Sequence, residues 1–158
     1  MNLLGGVDHL HVITPDLDRL LEFYRSVFGA PTVLERTEDG ARHALIDVGA
    51  GALIEALERR DGPATADGLP MFERGAVNRF ALAAPTRHAF LELRRRVMEA
   101  GAGDGRVRDV GFLWTFHFRD PDGVEGEVVW RKPGIPASAA PPRGQWTTLT
   151  ADDLGPVP

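Results

Sequence analysis

The sequence predicts an α+β fold of two βαβββ modules, in which two small sheets form an open barrel with the helices outside. Three observations support this prediction. The order strand, helix, strand, strand, strand occurs twice along the chain. The second copy repeats the hydrophobic and polar pattern of the first, which indicates two similar structural units. The chain has 158 residues, of which 43% are hydrophobic, enough for one compact domain or two small units that share a core.

The first module, residues 1–58, opens with an alternating strand rich in β-branched residues at 7–14. We expect a helix to start with Thr14 as its cap and Pro15 in its first turn, because both residue types favour helix N-termini. Apolar residues at helical spacing continue this helix to Phe28. Three predicted strands complete the module, at residues 32–36, 43–48 and 52–57.

The repeat is clearest in the first strand of each module. Residues 77–85 align with residues 7–15 at hydrophobic, polar and proline positions. The ends of the modules correspond as well, because Glu127 in the last strand of the second copy matches Glu55 in the last strand of the first. One helix can cover only the outer face of each sheet, so we expect the two inner faces to enclose a trough, the usual place for a small ligand.

The second module, residues 76–132, follows a connecting loop at 59–75. Its helix is predicted to end at Gly101, a typical residue after a helix end. Its remaining strands are predicted at residues 106–110, 113–119 and 126–130. Residues 133–158 form a Pro- and Ala-rich C-terminal tail, which we expect to be extended or mobile.

Composition excludes several kinds of protein. The net charge of −5 argues against nucleic acid as a partner, because phosphate binding needs a basic surface. No apolar run approaches the roughly 18 residues that a membrane span needs, and we expect neither a membrane partner nor a signal peptide. The absence of cysteine excludes disulfides and thiolate ligands, so any metal must be bound by histidines and carboxylates.

Two motifs resemble a known family. The segment Asp-His-Leu-His-Val at 8–12, followed by Pro-Asp-Leu at 15–17 and Leu-Glu-Phe-Tyr at 21–24, resembles the first strand and helix of the vicinal-oxygen-chelate superfamily. Phe-Arg-Asp-Pro-Asp-Gly at 118–123, followed by Glu127, resembles its closing turn and strand. The resemblance covers most of the chain and implies the glyoxalase/bleomycin-resistance/dioxygenase type of fold. It does not specify the reaction, because the family supports many reactions.

The resemblance also implies a metal site. Metal-dependent members take their ligands from the first and last strands of each half, and those positions hold His9, Glu55, Arg79 and Glu127. His9, Glu55 and Glu127 are therefore the predicted ligands of a divalent ion, with Zn, Mn, Fe and Ni all compatible. Arg79 stands where many members have a histidine, and a guanidinium has no lone pair to donate. Carboxylates within apolar strands are costly to bury unless they are paired or metal-bound.

Three more side chains are assigned to the site. Strand alternation puts His11 on the same face as His9, so we expect it to bind substrate. Arg79 is expected to bind an anionic substrate, or to act as a fixed positive charge that pairs with Glu127 or Glu55. His117 stands where the similar strand of extradiol dioxygenases carries an active-site tyrosine. We expect His117 to act as a catalytic acid or base, or as an alternative metal ligand, and Glu127 to act in catalysis as well as in metal binding.

The function implied is a metal-dependent lyase, isomerase or dioxygenase that acts on a small oxygenated molecule, with Arg79 favouring an anion. The alternative is a metal-free binding protein that sequesters an antibiotic, like bleomycin-resistance proteins. A third interpretation is a structural member whose cavity is filled by an Arg79–Glu127 pair. We also expect a cytoplasmic homodimer, either with or without exchange of halves between the two chains.

Overall fold

The computed structural model describes residues 3–61 and 77–155, and the chain divides into two compact units, Met1–Gly68 and Leu69–Pro158. Each unit has a mixed β-sheet with a helix, which confirms the predicted α+β class. Most of the predicted connecting loop lies outside the described residues. None of the helices in the described ranges is both long and apolar enough to cross a bilayer.

The first unit contains one helix and a four-stranded sheet. Its elements are β1 (His9–Thr14), α1 (Leu17–Phe23), a π-helical turn (Tyr24–Phe28), β2 (Thr32–Glu38), β3 (Ala41–Asp47) and β4 (Leu53–Glu58). The strand order is β1-β4-β3-β2, with β1 and β4 parallel and the other neighbours antiparallel. The parallel pair places the first and last strands of the module side by side, which brings their central side chains together.

Helix α1 starts later than the sequence predicts. Its N-cap is Asp16, whose carboxylate accepts a hydrogen bond from the Arg19 amide at 3.0 Å. Thr14 instead organises the preceding turn, because its hydroxyl accepts from the Asp16 amide at 3.2 Å. The prediction of Thr14 as cap and Pro15 in the first turn was therefore wrong. An aspartate two residues further on offers an equally good capping oxygen.

The core of the first unit lies between α1 and one face of the sheet. Leu17, Leu20 and Tyr24 are buried on the helix side, and Ile46 and Ile54 are buried on the sheet side. Because side chains alternate along a strand, the residues between the buried ones point to the opposite face. That face carries the side chains proposed for function.

The second unit repeats this plan and adds a fifth strand. Its elements are β5 (Phe80–Ala83), α2 (Arg87–Glu99), β6 (Arg108–Asp109), β7 (Leu113–Arg119), β8 (Glu125–Arg131), 3₁₀ turns at Ala137–Ala139 and Arg143–Gln145, β9 (Thr147–Thr148) and α3 (Ala151–Leu154). The strand order is β5-β8-β7-β6-β9. Phe90 of α2 packs on Phe116 of β7 with ring centroids 5.0 Å apart, and both side chains are fully buried.

Strand register shows that the two units are equivalent position by position. In the first unit His11 and Leu45 both pair with Glu55, and in the second unit the corresponding neighbours pair with Glu127. This register matches the alignment of the two copies in the sequence. The pairs that register makes equivalent are His11 and Ala81, Leu45 and His117, and Glu55 and Glu127. His9 and Arg79 correspond because each lies two residues before the first of these pairs.

The C-terminal tail is more ordered than its composition indicates. Thr147 and Thr148 pair with β6 and extend the second sheet. Leu154 of α3 is buried, and Arg87 donates a hydrogen bond to its carbonyl oxygen. The structure thus differs from the expected extended or mobile tail. Two-residue strands and a one-turn helix are too short to give a periodic sequence signal.

Candidate functional site

Glu55 is the centre of the open sheet face in the first unit. It lies in the middle of β4, directly opposite His11 on the neighbouring parallel strand β1. One of its oxygens, Oε2, is 3.8 Å from His9 Nε2 and 4.0 Å from His11 Nδ1. The side chain of Glu55 is 30% exposed and both imidazoles are about half exposed. Two imidazoles therefore flank one accessible carboxylate.

His9 is oriented by its neighbour Asp8. The Asp8 carboxylate lies 2.9 Å from His9 Nδ1, which favours a proton on that nitrogen and leaves Nε2 facing Glu55. The hydrogen bond to Asp8 raises the pKa of His9, and the charges of Asp8 and Glu55 act in the same direction. A carboxylate that holds the far nitrogen of an imidazole is also the usual support of a metal-binding histidine.

A concavity of about 220 Å³ adjoins these residues on the same face. His9, Glu55, Leu45 and His43 line it together with side chains of β2. His43 was left without a role at the sequence level. His43 lies on β3 two residues before Leu45, the cross-strand partner of Glu55. Because side chains two residues apart on a strand share a face, strand alternation places His43 on the face of Glu55.

Glu127 has a different environment in the second unit. Arg79 Nη1 donates to its Oε1 at 2.9 Å, and the Thr115 hydroxyl donates to its Oε2 at 3.1 Å. Arg79 and Glu127 are 22% and 23% exposed, and Arg79 Nε also donates to Asn78. The sequence left open whether Arg79 pairs with Glu55 or with Glu127, and the structure shows the pair with Glu127. Sequence reasoning missed Thr115, although it lies two residues from His117 on the same strand face.

His117 lies against the same guanidinium. Its two ring nitrogens are 3.0 Å and 2.9 Å from Arg79 Nη1, and its Nε2 is 3.4 Å from Glu127 Oε1. Burial lowers the pKa of His117, and the positive charges of Arg79 and Arg108 lower it further against the opposing charge of Glu127. The neutral imidazole is thus favoured, and a neutral imidazole can accept a proton.

The two units differ in how well they suit a divalent metal ion. In residues 3–61 and 77–155, no group of three or more His, Cys, Asp or Glu side chains is placed so that it could hold a metal ion. Two ligands on one ion, each about 2.1 Å from it, lie about 3.0–3.4 Å apart. His9 and Glu55 are 3.8 Å apart, so a small side-chain rotation closes that gap. In the second unit the positive charge of Arg79 is already paired with Glu127 and would compete with a metal ion for that carboxylate.

The predicted site residues thus form two groups. His9, His11 and Glu55 lie together in the first unit. Arg79, His117 and Glu127 lie together in the second unit. The ligand set predicted from the sequence takes members from both groups, so a shared metal that includes Glu127 stays a prediction.

Comparisons with known proteins agree with this architecture. A family model described as "Glyoxalase/Bleomycin resistance protein/Dioxygenase superfamily" matches residues 6–128, most of the chain. No curated protein sequence gives a significant match.

Several solved structures share the fold. A glyoxylase/bleomycin resistance protein/dioxygenase domain from Frankia sp. EAN1pec has a TM-score of 0.70 and 22% identity, covering 84% of this chain and 96% of that one. Lactoylglutathione lyase from Agrobacterium tumefaciens has a TM-score of 0.58 and 22% identity, covering 80% and 94%. A mutant of the fosfomycin resistance protein FosX from Listeria monocytogenes, complexed with Mn(II) and 1S,2S-dihydroxypropylphosphonic acid, has a TM-score of 0.58 and 19% identity, covering 83% and 96%. At these identities the likeness shows the fold alone.

Proposed function

The chain belongs to the glyoxalase/bleomycin resistance protein/dioxygenase superfamily, and from this premise we propose that it is a divalent-metal-dependent enzyme for a small, oxygenated, anionic substrate. The observation that carries the proposal is the difference between the two glutamates. Glu55 is flanked by two imidazoles and is open to solvent, whereas Glu127 is already paired with a guanidinium.

The first unit is proposed to hold the metal. His9 and Glu55 are the proposed ligands, with His11 as a third donor or a substrate contact. One carboxylate and one or two imidazoles form a donor set that suits Zn, Mn, Fe or Ni. When bound, such an ion supplies Lewis-acid polarisation of substrate oxygens. Asp8 fixes the ring of His9 so that Nε2 is the nitrogen presented.

The second unit is proposed to bind and deprotonate the substrate. Arg79 uses Nη1 for Glu127 and His117, and Nε for Asn78, which leaves Nη2 to meet an anionic group. His117, with its lowered pKa, is the proposed proton acceptor. Glu127 lies 3.4 Å from His117 Nε2 and can receive or return that proton. The names of the neighbours, a lyase and a resistance protein with Mn(II), are in keeping with this chemistry.

Metal content gives the direct test. Protein purified without chelator is expected to carry about one Mn, Fe, Ni or Zn ion per chain, and each added ion that binds raises the melting temperature by mass action. His9→Ala is expected to lose the bound metal. His88→Ala, in helix α2 of the other unit, is the matched control and is expected to keep it. Absence of stoichiometric metal, with no thermal shift from any of the four ions, would overturn the proposal.

A metal-free ligand-binding function is the second candidate. The observation in its favour is the Arg79–Glu127 ion pair, which places a permanent positive charge where relatives with a histidine place a ligand. Under this alternative, aromatic or cationic antibiotics raise the melting temperature in the presence of chelator and metals do nothing. The cytoplasmic homodimer expected from the resemblance stays a prediction under either function.

A further inference from the structure

A cavity of about 230 Å³ lies beside His117 in the second unit. Three arginines and two carboxylates contribute to its wall. The charged and titratable residues that line it are Asp104, Arg106, Arg108, His117, Arg119 and Glu125. The cavity has room for about seven water molecules. It is smaller than the roughly 300 Å³ or more of a pocket for a complete drug-sized ligand, and it suits one polar end of a larger molecule.

Strand register brings Arg108 to the face that carries the proposed catalytic residues. Arg108 of β6 pairs with Thr115 of β7, and the two side chains of such a cross-strand pair point to the same face. His117 lies two residues beyond Thr115 and shares that face. Thr115 in turn donates to Glu127. Arg108 is thus a diagonal neighbour of His117, and its positive charge contributes to the lowered pKa of that imidazole.

The charges of this cavity are unequally compensated. Arg119 forms a close ion pair with Glu125, and Arg106 Nε lies 3.8 Å from Asp104 Oδ2. Within the described residues Arg108 forms neither an ion pair nor a side-chain hydrogen bond, so its guanidinium keeps its full donor capacity. The equivalent residue of the first unit, Arg36, has a partner in Glu38 at 3.3 Å.

We propose that Arg108, together with His117, forms an oxyanion subsite that takes a carboxylate or phosphate group. The proposal rests on the proposed function, because it names the place where the anionic end of the substrate binds. A guanidinium presents two parallel N–H donors to such a group, and a partly enclosed cavity strengthens that interaction relative to water. Arg79 uses Nη1 and Nε in its contacts with Glu127, His117 and Asn78 and keeps Nη2 for an anion, whereas the whole guanidinium of Arg108 is available to one.

The test is an NMR titration of ¹⁵N-labelled, chelator-treated protein with inorganic phosphate and, separately, with acetate, at constant ionic strength. We expect saturable shifts at the amides of Arg108, Thr115 and His117. Arg108→Gln is expected to weaken the tighter anion about tenfold or more, since it removes charge-assisted hydrogen bonds. Tighter binding of phosphate or of acetate identifies which oxyanion the subsite prefers, and either result supports the proposal.

The matched control is Arg143→Gln, which removes the same charge from a side chain that lies over Trp146 in the C-terminal segment. It is expected to leave anion affinity unchanged. Equal weakening by both variants, or no saturable shift with either anion, would overturn the subsite. Because the titration contains no metal, its outcome is independent of the proposed function. Anion binding without metal binding would contradict the proposed function but not the subsite. Metal binding without anion binding would contradict the subsite but not the proposed function.

Discussion

The two units share the order of their four main strands and the register around their central glutamates, but the two glutamates have different partners. Glu55 faces two half-exposed imidazoles, and Glu127 faces a guanidinium and a threonine hydroxyl. One scaffold therefore carries a carboxylate flanked by imidazoles in the first unit and a carboxylate paired with a guanidinium in the second. Duplication of a fold fixes where side chains lie, and substitution at a few equivalent positions decides what each copy does.

The largest expected effect concerns the cores of the two units. Ile54 is buried in the first unit, and its equivalent in the second is Gly126, because Leu10 pairs with Ile54 and Phe80 pairs with Gly126. Ile54→Ala is expected to lower the free energy of unfolding by about 2–5 kcal/mol, through lost burial and a cavity. Chemical denaturation of the wild type and the variant measures this change in the free energy of unfolding, provided that both have the same m-value. A loss under about 1 kcal/mol would show that this site collapses around the missing atoms.

At Gly126 a larger side chain, rather than a smaller one, is expected to destabilise the core. A Cβ added there would overlap the ring of Phe118, so Gly126→Ala overpacks the second core and is expected to cost about 1–3 kcal/mol. Adding Phe118→Leu to Gly126→Ala makes room, and the double variant is expected to recover part of that loss relative to Phe118→Leu alone. A Gly126→Ala protein as stable as the wild type would mean that the ring moves aside freely.

Arg79 is the residue of the second unit whose replacement is expected to change metal affinity there. Arg79→His replaces the built-in cation with a ligand beside His117 and Glu127. We expect it to bind Zn or Co about tenfold more tightly than Arg79→Gln, which removes the cation without adding a ligand, since a single metal-site contact typically changes affinity by about 10–100-fold. Competition titration with a chromophoric chelator measures the difference. Equal affinities would show that the second unit does not take part in metal binding even when its cation is absent.

The smallest expected effect is in proton binding. In metal-free protein, NMR titration should place the pKa of His9 above the ordinary 6.5 and that of His117 below it. Relative to the unfolded chain, the folded state thus binds a proton more tightly at His9 and less tightly at His117. As pH falls through 6.5, His9 adds stability while His117 removes it. Asp8→Asn is expected to lower the pKa of His9 and to leave the pKa of His117 unchanged. The reverse order of the two pKa values would contradict the described contacts.

Sequence reasoning predicted the scaffold better than it predicted the contacts. The alignment of the two copies reappears as strand register, because hydrophobic alternation specifies which residues of a strand share a face. The pairing of Arg79 with Glu127 was one of two alternatives, and the structure selects it. Thr115, which donates to Glu127, and His43, which lines the concavity beside Glu55, were missed, and so was Arg108, the proposed anion contact. Their roles depend on cross-strand neighbours, which the alternation of a single strand does not reveal.

The two glutamates are proposed to have different tasks, and the metal affinities of two matched variants distinguish them. Glu55→Gln and Glu127→Gln make the same chemical change at equivalent positions. Isothermal titration with Mn(II) or Zn(II) is expected to show that Glu55→Gln loses more than about a hundredfold in affinity, since it removes a ligand rather than a supporting contact. Glu127→Gln is expected to lose much less. Equal losses of affinity in both variants would show that both glutamates bind one metal ion. That result would contradict the proposal that Glu55 binds the metal and Glu127 does not.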